Sequence, residues 1–150
     1  MSRFTKVVVI DPATHPGFVR MREKEGFTEF GEAEVDAMVK APGLKFVVFA
    51  DDPNKQKETL DIVVIAPEVK KTLPQVESAW VTDTAVGRAL AARWGMRKLP
   101  AVALFRGEAF LGAVEGLSDW GAYEAGLAEI ASRTAPQKRT IAVLTKQAED

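Results

Sequence analysis

The period of the apolar positions changes several times along the chain, and each change marks an element. Phe18-Val19-Arg20-Met21-Arg22-Glu23-Lys24-Glu25 reads as a short helix stopped at Gly26. Phe27-Thr28-Glu29-Phe30 reads as a short strand. From Glu32 to Lys40, Val35, Met38 and Val39 share one side of a helix that Pro42-Gly43 ends. Lys45-Phe46-Val47-Val48-Phe49-Ala50 is a continuous apolar run and suits a strand buried on both faces. Leu60 to Leu73 is dense in apolar residues, and the polar residues after Pro67 favour a helix there, kinked at Pro67 and closed by Pro74. The β-branched run Ile62–Ile65 pulls mildly the other way. Val76–Val81 alternates as a strand, and Asp83 or Thr84 caps a helix running to about Trp94. Two apolar runs, Ala101–Phe105 and Ala109–Val114, flank the turn Arg106-Gly107-Glu108 as a hairpin. Ser118 caps a last helix from Trp120 to about Ser132, with Tyr123, Leu127 and Ile130 on one face.

From residue 27 onward the order is β-α-β-α-β-α-β-β-α. That order predicts an α/β fold: a mixed sheet with helices on both faces. The expected organisation is an N-terminal arm over residues 1–17, a domain over 18–132 and an appended segment over 133–150. Lys6–Ile10 is either an edge strand or an extended arm, and Asp11–Gly17 is a loop rich in Pro and Gly. The last segment mixes Pro, charged residues and the short run Ile141-Ala142-Val143-Leu144.

Composition narrows the chemistry. At 150 residues, 47% hydrophobic and 27% charged, the chain has the balance of one soluble globular domain. No apolar run approaches the ~20 residues of a membrane span. The apolar core Val7–Ile10 is shorter than that of a signal peptide. A cytoplasmic protein without membrane insertion is the expectation. The net charge of −1 supplies no field for nucleic acid. The absence of cysteine excludes disulfides, iron–sulfur ligation and thiolate catalysis. His15 is the single histidine, so no metal site is expected, and a solvated loop histidine is the plainer reading of it. No glycine-rich phosphate cradle follows a strand. No cofactor and no catalytic residue are expected. An Asp51/Asp52 pair remains the one conceivable acid–base site, if like charge raises one of their pKa values.

Three segments resemble thioredoxins. Phe46-Val47-Val48-Phe49-Ala50 resembles their central strand, and Ile65-Ala66-Pro67 the kink of their active-site helix. Met96-Arg97-Lys98-Leu99-Pro100-Ala101-Val102 resembles the loop that holds their cis-proline. The resemblance implies a thioredoxin-like fold and a cis Leu99-Pro100 bond. Where thioredoxins carry Cys-x-x-Cys, this chain has the longer loop Asp51-Asp52-Pro53-Asn54-Lys55-Gln56-Lys57-Glu58. Disulfide exchange needs a thiolate, so the redox activity is absent.

A cysteine-free chain with this loop is similar to the thioredoxin-like accessory proteins of NiFe uptake hydrogenases, the HyaE/HupG/HoxO type. The carrying residues are Asp52-Pro53-Asn54-Lys55, Glu58, Asp61, Asp83, Arg93-Trp94-Gly95-Met96, Leu99-Pro100-Ala101, Phe105–Glu108 through Gly112, and Trp120. The match covers about Phe18 to Ser132. It implies a non-enzymatic chaperone that holds the hydrogenase small-subunit precursor, at or near its twin-arginine signal peptide, in the cytoplasm before export. The alternative is a structural adaptor that docks other hydrogenase maturation proteins without touching that peptide.

On this reading the candidate partner-binding residues are Asp51, Asp52, Pro53, Glu58, Asp61, Leu99, Pro100 and Trp120. A carboxylate accepts both hydrogen bonds of an arginine fork, so Asp51, Asp52, Glu58 and Asp61 can meet an arginine pair. The same residues also fit a solvated loop in which Glu58 or Asp61 caps the next helix. Leu99-Pro100 can offer an unpaired backbone edge to an extended peptide, or merely turn the chain. Trp80 and Trp94 read as packing residues, and Trp120 as the candidate exposed anchor.

Overall fold

The computed structural model describes residues 9–133. The expected tail beyond Arg133 and most of the arm lie outside the described residues. The elements are α1 (Pro16–Glu23), β1 (Phe27–Phe30), α2 (Val35–Lys40), β2 (Leu44–Phe49) and α3 (Glu58–Lys70). They continue with β3 (Val76–Thr82), α4 (Gly87–Ala92), β4 (Ala101–Arg106), β5 (Ala109–Glu115) and α5 (Trp120–Ala131). The five strands form one sheet in the order β1-β3-β2-β4-β5. β1, β3 and β2 run parallel, while β4 pairs antiparallel with β2 and β5 antiparallel with β4. This is the thioredoxin-like mixed sheet that the sequence predicts.

β2 is central because every one of its residues is buried, as its unbroken apolar run requires. Its side chains alternate between two cores. Phe46 and Val48 meet Phe18 and Met21 of α1, Ile62, Val63, Ala66 and Val69 of α3, and Tyr123, Leu127 and Ile130 of α5. Val47 and Phe49 face Val35 and Met38 of α2, Leu90 and Ala91 of α4, and Phe105 of β4. The second core is rich in rings. Phe49, Trp94, Phe105 and Phe110 form a chain with centroids 5.8, 5.1 and 5.4 Å apart.

Helix starts differ from the sequence reading in instructive ways. His15 is no free loop histidine: its Nδ1 accepts the Gly17 N–H at 3.1 Å and caps α1, which begins at Pro16. Neither Glu58 nor Asp61 caps α3. The chain enters that helix straight from a turn, in which Gln56 O accepts the Thr59 N–H and Lys57 O the Leu60 N–H. Both carboxylates therefore sit inside the first turn, where they complement the positive end of the helix. α3 runs through Pro67 as one continuous helix. Asp83 caps a preceding turn rather than α4, by accepting the Ala85 N–H at 2.9 Å. Asp119, not Ser118, caps α5, with Oδ1 accepting the Ala122 N–H at 2.8 Å.

One polar group lies inside the second core. Lys45 is fully buried, and its ammonium donates to Val39 O at 2.8 Å, Ala41 O at 2.6 Å and Gly107 O at 2.8 Å. Three donors meet three acceptors, which ties the end of α2 to the β4–β5 turn. The ammonium also stands 5.9 Å from the centre of the Phe105 ring. Burial pulls its pKa from 10.5 down to about 8, against the upward pull of Glu108.

Lys45→Met is expected to cost about 2–3 kcal/mol in urea unfolding at pH 7, because it strands three carbonyls. The pH dependence has a definite sign. Between about 8 and 10.5 the unfolded chain holds a proton on Lys45 that the folded chain has released. Stability of the unaltered protein relative to Lys45→Met should therefore rise across that window. A flat difference between pH 7 and pH 10 would contradict it.

Candidate functional site

The C-terminal ends of β2 and β3, the start of β4 and the end of β5 lie at one edge of the sheet. The loop after β2 is pinned there at both ends. The Ala50 N–H donates to Thr82 Oγ1 at 2.8 Å, and the Thr59 hydroxyl donates to Asp51 O at 2.9 Å. Gly87 opens α4 so close to Ala50 that a Cβ would collide with the Ala50 carbonyl. That close approach sets the next residue, Arg88, opposite Asp51.

Arg88 is the hub of the site. Asp51 Oδ2 accepts the Arg88 Nε–H at 3.0 Å and ion-pairs with Nη2 at 3.0 Å, while Asp51 Oδ1 accepts the Asp52 N–H at 2.8 Å. Arg88 Nη1 donates to Arg97 O at 3.3 Å, and Nη2 reaches Gln56 Oε1 at 3.5 Å. Gln56 Nε2 in turn donates to Leu99 O at 3.1 Å and to Glu58 Oε1 at 3.2 Å. The Leu99-Pro100 peptide bond is cis. Leu99 is only 4% exposed, and its N–H has no hydrogen-bond partner among the described residues.

The turn is held from its far side as well. Glu115 Oε1 accepts the Arg97 and Lys98 N–H groups at 2.8 and 3.0 Å. The Gly116 N–H donates to Pro100 O at 2.9 Å, and the buried Tyr123 hydroxyl donates to Gly116 O at 3.3 Å. Burial raises the Tyr123 pKa, which keeps that hydroxyl a donor.

A second cluster occupies the other side of the loop. Asp52 Oδ1 accepts the Asn54 N–H at 2.9 Å and Asn54 Nδ2 at 3.0 Å. These bonds hold the Asp52 carboxyl below its ordinary pKa. The conceivable Asp51/Asp52 acid–base pair would need a raised value in one member, and Asp52 moves the opposite way. The oriented Asn54 amide grips one residue of the arm from both directions. The Ile10 N–H donates to Asn54 Oδ1, and Asn54 Nδ2 donates to Ile10 O, each at 2.8 Å.

Of the candidate residues, the structure gathers Asp51, Glu58, Leu99 and Pro100 around Gln56 and Arg88. Asp52 belongs to the Asn54 cluster, and Pro53 is buried beside it. Pro100 is buried as well. Asp61 is exposed on the first turn of α3 and has no ion-pair partner among the described residues. Trp120 is 46% exposed at the head of α5, with Leu117 39% exposed just before it. Gln56 and Arg88 escaped the sequence reading. Gln56 lay unremarked in the loop, and Arg88 sits 37 positions from Asp51 inside a helix read for its apolar face. Gly87 at the helix start was the one available signal of close packing.

Among the described residues no three His, Asp or Glu side chains gather as metal ligands. No described helix is long and apolar enough to cross a membrane. What the arrangement offers is hydrogen bonding: a carboxylate shaped for a guanidinium, beside a backbone edge.

The fold and the site define a thioredoxin-like protein whose central site has hydrogen-bonding side chains and no thiol. The J-Trx1 fragment of ERdj5 shares the fold, at a TM-score of 0.51 and 19% identity over 77% of this chain and 56% of that one. Residues 18–123 match the family model described as hydrogenase-1 expression protein HyaE. The chain is 31% identical over 109 residues to the hydrogenase expression/formation protein HoxO of Azotobacter vinelandii, covering 73% of each. It is 25% identical over 118 residues to the hydrogenase expression/formation protein HupG of Rhodobacter capsulatus, covering 78% of this chain and 86% of that one. The chain belongs to the HyaE family, which places it among the accessory proteins of hydrogenase maturation.

Gly87→Ala tests whether α4 is seated as described. The added methyl has to push the helix from the Ala50 carbonyl, at a cost of about 1–3 kcal/mol in chemical denaturation. An unchanged unfolding midpoint would show that Arg88 is not positioned by this contact.

Proposed function

We propose that this protein is a non-enzymatic, cytoplasmic chaperone for the small-subunit precursor of a NiFe uptake hydrogenase, held at or near its twin-arginine signal peptide before export. The observation that carries the reading is the Asp51–Arg88 pair beside Leu99. Asp51 accepts one guanidinium N–H at 3.0 Å and ion-pairs with a second guanidinium nitrogen at 3.0 Å, next to a turn whose Leu99 N–H has no partner among the described residues. The same carboxylate geometry suits a partner's arginine. Leu99 supplies the backbone to which an extended segment can add as a strand. Glu58 and Asp61 lie exposed on the adjoining helix turn and extend the negative surface. Trp120 and Leu117 offer apolar contact to the hydrophobic part of a signal peptide. Membership in the HyaE family supports the hydrogenase as the client.

One observation favours the adaptor reading instead. In the free protein Arg88 already fills Asp51 and Gln56 already covers Leu99 O. A site closed to peptide leaves the remaining surface to dock other maturation proteins.

Calorimetry separates the two. A purified small-subunit precursor should bind saturably, removing its signal peptide should abolish binding, and changing the two arginines to glutamine should weaken it strongly. Binding that ignores the peptide would favour the adaptor, and no binding of any precursor form would sink the chaperone reading. Glu58→Lys with Asp61→Lys should weaken the complex about tenfold or more, by placing like charge against the arginines.

A further inference from the structure

We propose that Gln56 and Arg88 form an internal latch over the peptide-pairing edge, and that an arginine-bearing extended segment opens it by taking the places both side chains occupy. The inference rests on the peptide-binding reading above and adds how that site is kept closed.

Three observations carry it. First, the Leu99 carbonyl is covered by a side chain, Gln56 Nε2 at 3.1 Å, and not by backbone. A rotation of one side chain frees it. Second, the N–H of the same residue has no partner among the described residues, although Leu99 is only 4% exposed. A buried N–H left unpaired is uncommon and costly. An added strand would pair both groups of Leu99 at once, which no side chain of the free protein does. Third, Asp51 holds an arginine that can leave. The Arg88 side chain is 53% exposed, against 19% for Asp51, so the acceptor is fixed while the donor reaches in from solvent. An exposed ion pair of this kind is weak. It can be exchanged for a guanidinium that brings further contacts with it.

The latch is a single device because its parts touch. Arg88 Nη2 reaches Gln56 Oε1 at 3.5 Å, and Nη1 donates to Arg97 O at 3.3 Å. Displacing Arg88 from Asp51 loosens the amide that covers Leu99. A segment with backbone but no arginine has to lift Gln56 while Arg88 still steadies it. The latch thereby selects for an arginine beside the pairing strand.

The test uses the full chain, Gln56→Ala and Arg88→Met. The probes are a synthetic twin-arginine signal peptide of a hydrogenase small subunit and the same peptide with both arginines changed to glutamine. Arg88→Met should tighten the arginine peptide roughly twofold to fivefold and the glutamine peptide by less, because only the first also fills the vacated Asp51. Gln56→Ala should tighten both peptides by a similar factor. Urea unfolding of each variant verifies that the fold is kept. Peptide binding by the unaltered protein with no gain in either variant would overturn the latch and leave the chaperone reading standing. Binding by the variants alone would support a latch that fully closes the site. Silence of all three proteins would remove the latch together with the peptide reading.

Discussion

The structure depends on one constraint, that β2 must be buried on both faces. Six consecutive buried residues cannot be covered by one layer, so helices are required on each side of the sheet. Phe46 and Val48 recruit α1, α3 and α5, while Val47 and Phe49 recruit α2 and α4. The same burial brings the C-terminal ends of β2 and β3 together with the start of β4. Loops that leave adjacent strand ends at one edge are brought together without any attraction between them. Clefts of open α/β sheets arise for this reason.

Polar groups inside such a frame are stable where their hydrogen bonds are met. Lys45 shows the rule in the core, with three carbonyls for three N–H donors. The site departs from it. Asp51, Gln56 and Arg88 satisfy most of one another, but the Leu99 N–H stays without a partner among the described residues. A fold that satisfies an ammonium completely in one core and leaves an amide open at its edge has a reason to be read for binding there. The distinction is one of mobility. Lys45 is locked by three carbonyls from two separate segments, the end of α2 and the β4–β5 turn, whereas Leu99 O is covered by a single amide on a loop.

The HyaE family membership and the missing cysteines bear on one position. Where a thioredoxin-like sheet could present a thiolate to a disulfide, this one presents carboxylate, amide and guanidinium groups to hydrogen-bonding partners. Such groups bind and release without forming covalent bonds to the partner. That is the chemistry the proposed holding role needs, and on that reading Leu99 is the backbone edge against which a client strand would align.

The sequence by itself determined the elements, because hydrophobic periodicity is a local property of a few neighbouring residues. Phe27–Phe30 falls where the pattern puts it, and the strands of the Lys45–Ala50 run and of the hairpin fall within one residue of theirs. The apolar length of β2 already required layers on both faces, and the composition already removed thiol chemistry. Helix starts were legible only within a few residues. His15, Asp83 and Asp119 compete for nearby N–H groups, and the winner depends on how the preceding chain arrives. Tertiary structure alone decided the polar contacts. That Arg88 meets Asp51, that Gln56 covers Leu99 and that Lys45 points among three carbonyls rather than into water depends on residues up to 62 positions apart. Such contacts follow from where the packed helices come to rest, and no local pattern encodes that.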